Sequence, residues 1–202
     1  MSDHTNADLE RLIEAAVERR LGERLAAMEG AIADLGNRVR GLGADCPEDR
    51  ATLVVFSGDM DRLFAALTIA SGAAAMGMTV SLFFTFWALA ALRVKTTYSG
   101  KSFGQKMAGF MLPSGPDAVP TSRMNMGGVG PAFFKMLMRQ KNVQSVPDML
   151  EMVRELGVRI VACEMSMGVM GITREELIPG IDYGGVATYL GDAAKSKITL
   201  FV

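Results

Sequence analysis

"LFAALTIASGAAAMGMTVSLFFTFWALAAL", from Leu63 to Leu92, contains no charged residue. Its reading decides between a membrane protein and an α/β domain. About 20 apolar residues suffice to cross a bilayer. The stretch also divides internally. Ala65 to Ala75 is small and helix-favouring, Gly77 breaks the run, and "TVSLFF" has the β-branched and aromatic character of a strand. A helix packed on a sheet, followed by a strand buried on both faces, is uncharged throughout. The residues favour this two-element reading. Insertion into a membrane, or attachment to one, is the competing reading.

Working outward, the pattern alternates between strand and helix. "TLVVFS" (Thr52–Ser57) is a β-branched run, "GDMD" makes a turn, and a helix begins near Asp61. The second strand falls at about Val80–Phe86. "RVKTTYSGKSFGQK" (Arg93–Lys106) is polar, basic and exposed, and "MAGFMLP" (Met107–Pro113) is a third strand stopped by its proline. A long loop, "SGPDAVPTSRMNMGGVGP", leads to a helix at about Pro131, a residue suited to a first turn. "VPDMLEMVRELG" (Val146–Gly157) is a helix closed by its glycine, and "VRIVAC" (Val158–Cys163) is a strand. Thr173 and Glu176 have capping-box spacing. "GGVATYLGDAAKS" is the last helix and "KITLFV" the last strand. Strands separated by helices imply an α/β fold: a parallel sheet with helices on both faces.

Upstream, a helix runs from about Ala7 to Gly43. Leu21, Leu25, Met28, Ile32, Leu35, Val39 and Leu42 alternate spacings of four and three, which is a heptad seam. Leu9, Ile13 and Val17 lead into it at steps of four, a stutter. The seam points to a self-associating coiled-coil helix, the competing reading being an amphipathic helix lying on its own domain. The expected organisation is an oligomerisation helix at 1–43, a linker at 44–51 carrying Cys46, and an α/β domain at 52–202.

The 202 residues suffice for one domain with a core and an appendage. A net charge of −1 argues against nucleic-acid binding, which leaves a basic footprint. The two cysteines, Cys46 and Cys163, make no disulfide framework and no zinc spacing. The one histidine, His4, lies in a polar tail, so neither a histidine triad nor a histidine-rich metal site is expected. "MSDHTNADLE" has no secretory signal character, and the cytoplasm is the default compartment.

In an open α/β sheet, functional groups gather at the carboxyl ends of the strands. Cys163 ends one strand, Ser57-Gly58-Asp59 follows another, and Gly127-Gly128 lies in the loop after the third, so one rim is expected to unite them. A helix starting at Glu164-Met165-Ser166 would favour a thiolate through its free amides, with Met165 an apolar, polarizable neighbour. Glu164 would oppose the thiolate if it pointed inward. A buried cysteine serving only as a small hydrophobe is the alternative. "MGGVGP" is either a flexible loop or an anion cradle. Arg93, Lys95, Lys101 and Lys106 form a solvated basic face or, beside the uncharged stretch, one that meets acidic lipid.

"VRIVACEMSMGVMGI", with "MNMGGVGP" upstream and "GGVATYLGDA" downstream, resembles the DsrE/DsrF/DsrH-like family of small sulfur-trafficking proteins, and within it a longer DsrE-type subgroup. The resemblance spans about Thr52 to Val202. It implies a flavodoxin-like fold and a persulfide carried on Cys163, chemistry that needs only an accessible, stabilised thiolate and so no metal and no organic cofactor. It also implies exchange of sulfane sulfur with rhodanese or TusA-like carriers, and for some members membrane association. The expected function is therefore a sulfur carrier or sulfurtransferase in a sulfur relay. It would be homo-oligomeric and cytoplasmic, with peripheral attachment to the inner membrane face left open. The alternative is a non-catalytic oligomeric scaffold or membrane-associated module with an inert cysteine.

Overall fold

The computed structural model describes the backbone of residues 2–44 and 47–202, with side chains for 16–38 and 47–202. The chain divides into two units, residues 1–46 and 47–202. The first is a single helix, α1 (Ser2–Ala44). Val17, Leu21, Leu25, Met28, Ile32 and Leu35 all stand exposed along it. The side chains of Leu9, Ile13, Val39 and Leu42, and Cys46 altogether, lie outside the described residues.

The second unit is an α/β domain. Its strands are β1 (Glu48–Val55), β2 (Thr79–Phe84), β3 (Arg159–Cys163), β4 (Asp182–Gly184) and β5 (Ser196–Phe201). They form one sheet in the order β4-β3-β2-β1-β5, and every pairing is parallel. This is the parallel α/β sheet expected from the alternating pattern, and the flavodoxin-like architecture that the family resemblance implies. β1 begins inside the stretch expected to be linker.

Leu63–Leu92 resolves into buried pieces of this domain. α2 (Met60–Ala75) packs Leu63, Ala66, Leu67 and Ala70 on the sheet, and Gly77 turns the chain with φ +83°. β2 lies at the centre of the sheet and is buried from Val80 to Phe84 on both faces. A 3-10 segment, Phe86–Leu92, then buries Ala88 through Leu92. A core position of this kind contributes about 1.5–3 kcal/mol per large apolar side chain, so charge is absent here for reasons of packing. Among the described residues, no helix is long and apolar enough to cross a membrane.

The two faces of the sheet are covered unequally. Ala51, Leu53, Val55, Leu82, Phe84, Ile160 and Ala162 share the large core under α2 and α5 (Val146–Glu155). The opposite face holds Val54, Phe83, Val161 and Cys163, with Tyr189 of α7 (Val186–Ala193) packed against them.

Several expectations are corrected. "MAGFMLP" is not a strand: Met107–Met111 form the second half of α3 (Phe103–Met111), and Leu112 and Pro113 follow it. Ser102 and Gln105 form a capping box that starts this helix, and it ends before Pro113. Gly127 and Gly128 therefore follow no strand. They form a left-handed turn, with φ +67° and +98°, ahead of α4 (Val129–Gln140), which begins two residues before Pro131. β4 is an addition to the expected strands, since its three residues carry no periodicity. The basic cluster is not one surface. Arg93 is 1 % exposed, and it and Lys101 surround the fully buried Glu176, with Lys101 Nζ 2.6 Å and Arg93 Nη2 3.8 Å from its carboxylate. The amides of Thr97 and Thr173 also donate to Glu176. Burial raises the Glu176 pKa, but these donors outweigh it and hold it below the usual carboxylate range. The network ties the start of the 93–145 excursion to the core.

Candidate functional site

Cys163 is the last residue of β3 and the residue that precedes α6 (Glu164–Met170). The strand forms because Ile160, Val161 and Ala162 are buried in the sheet, and the chain turns into the helix directly from extended backbone at Cys163 (φ −72°, ψ 110°). Gly171 closes α6 with φ +68°. A Cβ there would lie 2.6 Å from the Gln105 side chain, so glycine lets α3 approach this end of α6.

The thiol makes no formal capping hydrogen bond to the helix. Its surroundings nonetheless favour the anion. Burial pushes the thiol pKa up. The Ser166 hydroxyl and amide, the Thr85 hydroxyl and the Met165 amide together outweigh that and bring it below the ordinary thiol value. Thr85 Oγ1 and Ser166 Oγ are 2.8 Å apart, and both residues are buried. The hydroxyl pair thus joins the carboxyl end of β2 to the first turn of α6, beside the sulfur. Glu164 is engaged elsewhere, since Arg174 Nη2 donates to its carboxylate at 2.6 Å and Arg174 also stacks over Tyr183. The opposing charge considered from sequence is therefore paired.

Cys163 is 4 % exposed and lies among Val54, Phe83 and Val161 under Tyr189. Phe83 and Tyr189 are in ring contact at 5.7 Å. Next to Thr85, Phe86 adopts φ +45°, a costly conformation for a bulky residue and one that concentrates at functional sites. Its ring meets Phe56 at 5.6 Å, which in turn meets Phe201 at 5.7 Å, forming an aromatic row across the strand ends.

The expected single rim is not assembled. Ser57, Gly58 and Asp59 line a separate cavity of about 590 Å³ with Trp87, Met111 and Met170. Ser57 Oγ donates to Asp59 Oδ2 at 2.8 Å. A Cβ on Gly58 would stand 2.6 Å from the Trp87 carbonyl oxygen, so this loop requires glycine. Gly128 borders a different hollow beside Asn125 and Pro131. Of the expected residues only Met165 stands beside Cys163, through its amide, while its side chain is exposed. The sequence reading misses Thr85, Tyr189 and the hydroxyl of Ser166, whose amide it places at the helix start. The available signals were a polar residue closing the apolar β2 run and a serine three residues beyond the cysteine, at helix-capping distance.

A family model described as the DsrE/DsrF/DrsH-like family matches residues 47–201. A protein of Bacillus subtilis (strain 168) named "Uncharacterized protein YrkE" is 45% identical over 154 residues, covering 76% of this chain and 96% of its own. The protein of Allochromatium vinosum named "Sulfur carrier protein DsrE2" is 28% identical over 159 residues, covering 77% of this chain and 99% of its own. The crystal structure of ychN protein from E. coli aligns with a TM-score of 0.46 at 16% identity, over 76% of this chain and 99% of that one.

Proposed function

The chain belongs to the DsrE/DsrF/DrsH-like family, and from that premise we propose that it carries sulfane sulfur as a persulfide on Cys163 within a sulfur relay. The observation that carries this reading is the environment of the thiol, in which hydroxyls of Thr85 and Ser166 and amides of Met165 and Ser166 favour the thiolate despite burial. Support also comes from the named sulfur carrier among its relatives.

In the proposed cycle the Cys163 thiolate attacks the outer sulfur of a donor persulfide, R–S–SH. The new S–S bond gives Cys163–S–SH, and the donor leaves as R–S⁻. An acceptor thiolate then attacks the outer sulfur of Cys163–S–SH, takes it as its own persulfide and restores the Cys163 thiolate. The two steps are thiol–disulfide-type exchanges with no net oxidation. The hydroxyl pair and the α6 amides stabilise the anion before loading and after unloading. The partners on this reading are proteins that present an accessible thiol or persulfide.

The burial of Cys163 favours a competing reading, a structural cysteine in a binding module. Incubating the chain with a persulfidated thiol donor, then with a fresh acceptor thiol, separates the two. Transfer of labelled sulfur that is lost in Cys163→Ser supports the carrier. Absence of transfer from a folded wild-type chain supports the module.

A further inference from the structure

The two edges of the sheet differ. β4 is three residues long, and its Asp182 is held by Arg159 at 2.6 Å. β5 is six residues long and exposed from Lys197 to Phe201. It lacks proline, one of the devices that blunt an edge strand, and its one charged side chain, Lys197, is held by Asp49.

The hydrogen bonding shows which groups face out. Val202 N donates to Val54 O, and Phe56 N donates to Val202 O, so Val202 turns both of its backbone groups to β1. With the two-residue period of a strand, Leu200 and Ile198 do the same. Thr199 and Phe201 turn their N–H and C=O groups outward, and among the described residues no backbone group meets them. Apolar side chains flank this edge on both faces of the sheet. Ile198 and Leu200 share register with Ala51 and Leu53 on the α2 side, and Phe201 shares it with Val54 on the α7 side.

We propose that the outer edge of β5 pairs antiparallel with β5 of a second copy, joining two five-stranded sheets into one. The backbone pattern specifies the register. Thr199 of each copy faces Phe201 of the other, each such pair exchanging two N–H···O bonds, and Leu200 faces Leu200 on the two-fold axis as a non-hydrogen-bonded pair. Opposed residues in this register stand on the same face of the sheet. The apolar α2-side surface of one copy therefore continues into that of the other, and the α7-side surface does likewise. A second copy satisfies all four outward pairs of groups through one symmetric contact.

The two Leu200 Cα atoms would lie about 4.5 Å apart, within disulfide reach. The Ile198 pair on the same strand would be about 13 Å apart, beyond it. The test uses the full chain with Cys46→Ser and Cys163→Ser, adding Leu200→Cys or Ile198→Cys, under mild oxidation. The expected result is a disulfide-linked dimer for Leu200→Cys and not for Ile198→Cys. Adding Thr199→Pro removes an outward donor while sparing the bonds to β1, and should lower cross-linking about tenfold. A folded Leu200→Cys chain that stays monomeric, equal cross-linking of the two cysteine variants, or indifference to Thr199→Pro would overturn the proposal. If the cysteine variants fail to fold, amide exchange of the wild-type chain decides. Protection of the Thr199 and Phe201 amides that rises with protein concentration supports the pairing, and fast exchange at all concentrations overturns it.

Discussion

Thr85 and Ser166 meet side chain to side chain, Oγ1 to Oγ, at 2.8 Å in the buried junction between β2 and α6. The contact places two hydroxyls next to Cys163 and ties the first turn of α6 to the central strand. Losing either residue should therefore act on the thiol before it acts on the fold.

Ser166→Ala should raise the Cys163 pKa, because it deletes a hydroxyl that favours the thiolate. Thr85→Ala should do the same to a smaller degree. The pH dependence of alkylation by iodoacetamide reports this. In the wild type the rate should climb with a midpoint below that of an ordinary thiol, and in Ser166→Ala the midpoint should move upward. An unchanged midpoint would mean that the hydroxyl does not act on the sulfur.

Tyr189 packs on the cluster that contains Cys163 and lies against Phe83. Tyr189→Ala should open the sulfur from the α7 side. The expected outcome is an acceleration of about tenfold with a bulky maleimide and a smaller one with iodoacetamide, because access rather than ionisation changes. Equal rates with both reagents in wild type and variant would place the route to the sulfur elsewhere.

Glu176 supports the fold from inside the Arg93–Lys101 cluster. Its folded pKa is depressed, so its contribution is present above the unfolded value of about 4.3 and is lost as pH falls through the folded value. Glu176→Gln leaves two cations without their counter-charge and should cost about 3–5 kcal/mol at neutral pH. Urea unfolding measures this. The difference between wild type and variant should shrink as the pH is lowered into the acid range.

The seam on α1 offers a separate route to self-association. Leu25 and Ile32 are 53% and 65% exposed on the helix. Leu25→Glu combined with Ile32→Glu keeps good helix formers on the surface and charges the seam. Light scattering should show a smaller assembly for this variant. An unchanged mass would mean that the seam is not an oligomer contact.

The legibility of the chain follows the length and burial of its elements. β1, β2 and β3 were readable because strands buried on both faces become continuous apolar runs, and "VRIVAC" carried Cys163 to a strand end unambiguously. The Thr173–Glu176 box was readable from spacing and is formed. α3 was misread because "MAGFML" is apolar yet largely exposed, with Phe110 and Met111 80% and 77% accessible. Apolar content alone suggested a buried strand, although Ser102 and Gln105 already had capping-box spacing. The site was half legible. Local sequence placed the thiol at a helix start, but its face of the sheet depends on the parity of β3, where Val161 and Cys163 turn toward α7 while Ile160 and Ala162 turn toward α2. That parity separates Cys163 from the Ser57–Asp59 cavity. Thr85 and Ser166 are 81 residues apart, and only the β2–β3 pairing brings them together.

The central claim is that Cys163 holds the transferred sulfur. Its most direct test is peptide mass spectrometry of the full chain after incubation with polysulfide and removal of the excess. The account predicts a gain of about 32 Da on the peptide containing Cys163, reversed by a reducing thiol and absent in Cys163→Ser. An unmodified Cys163 in the folded wild-type chain, or an adduct confined to Cys46, would contradict it.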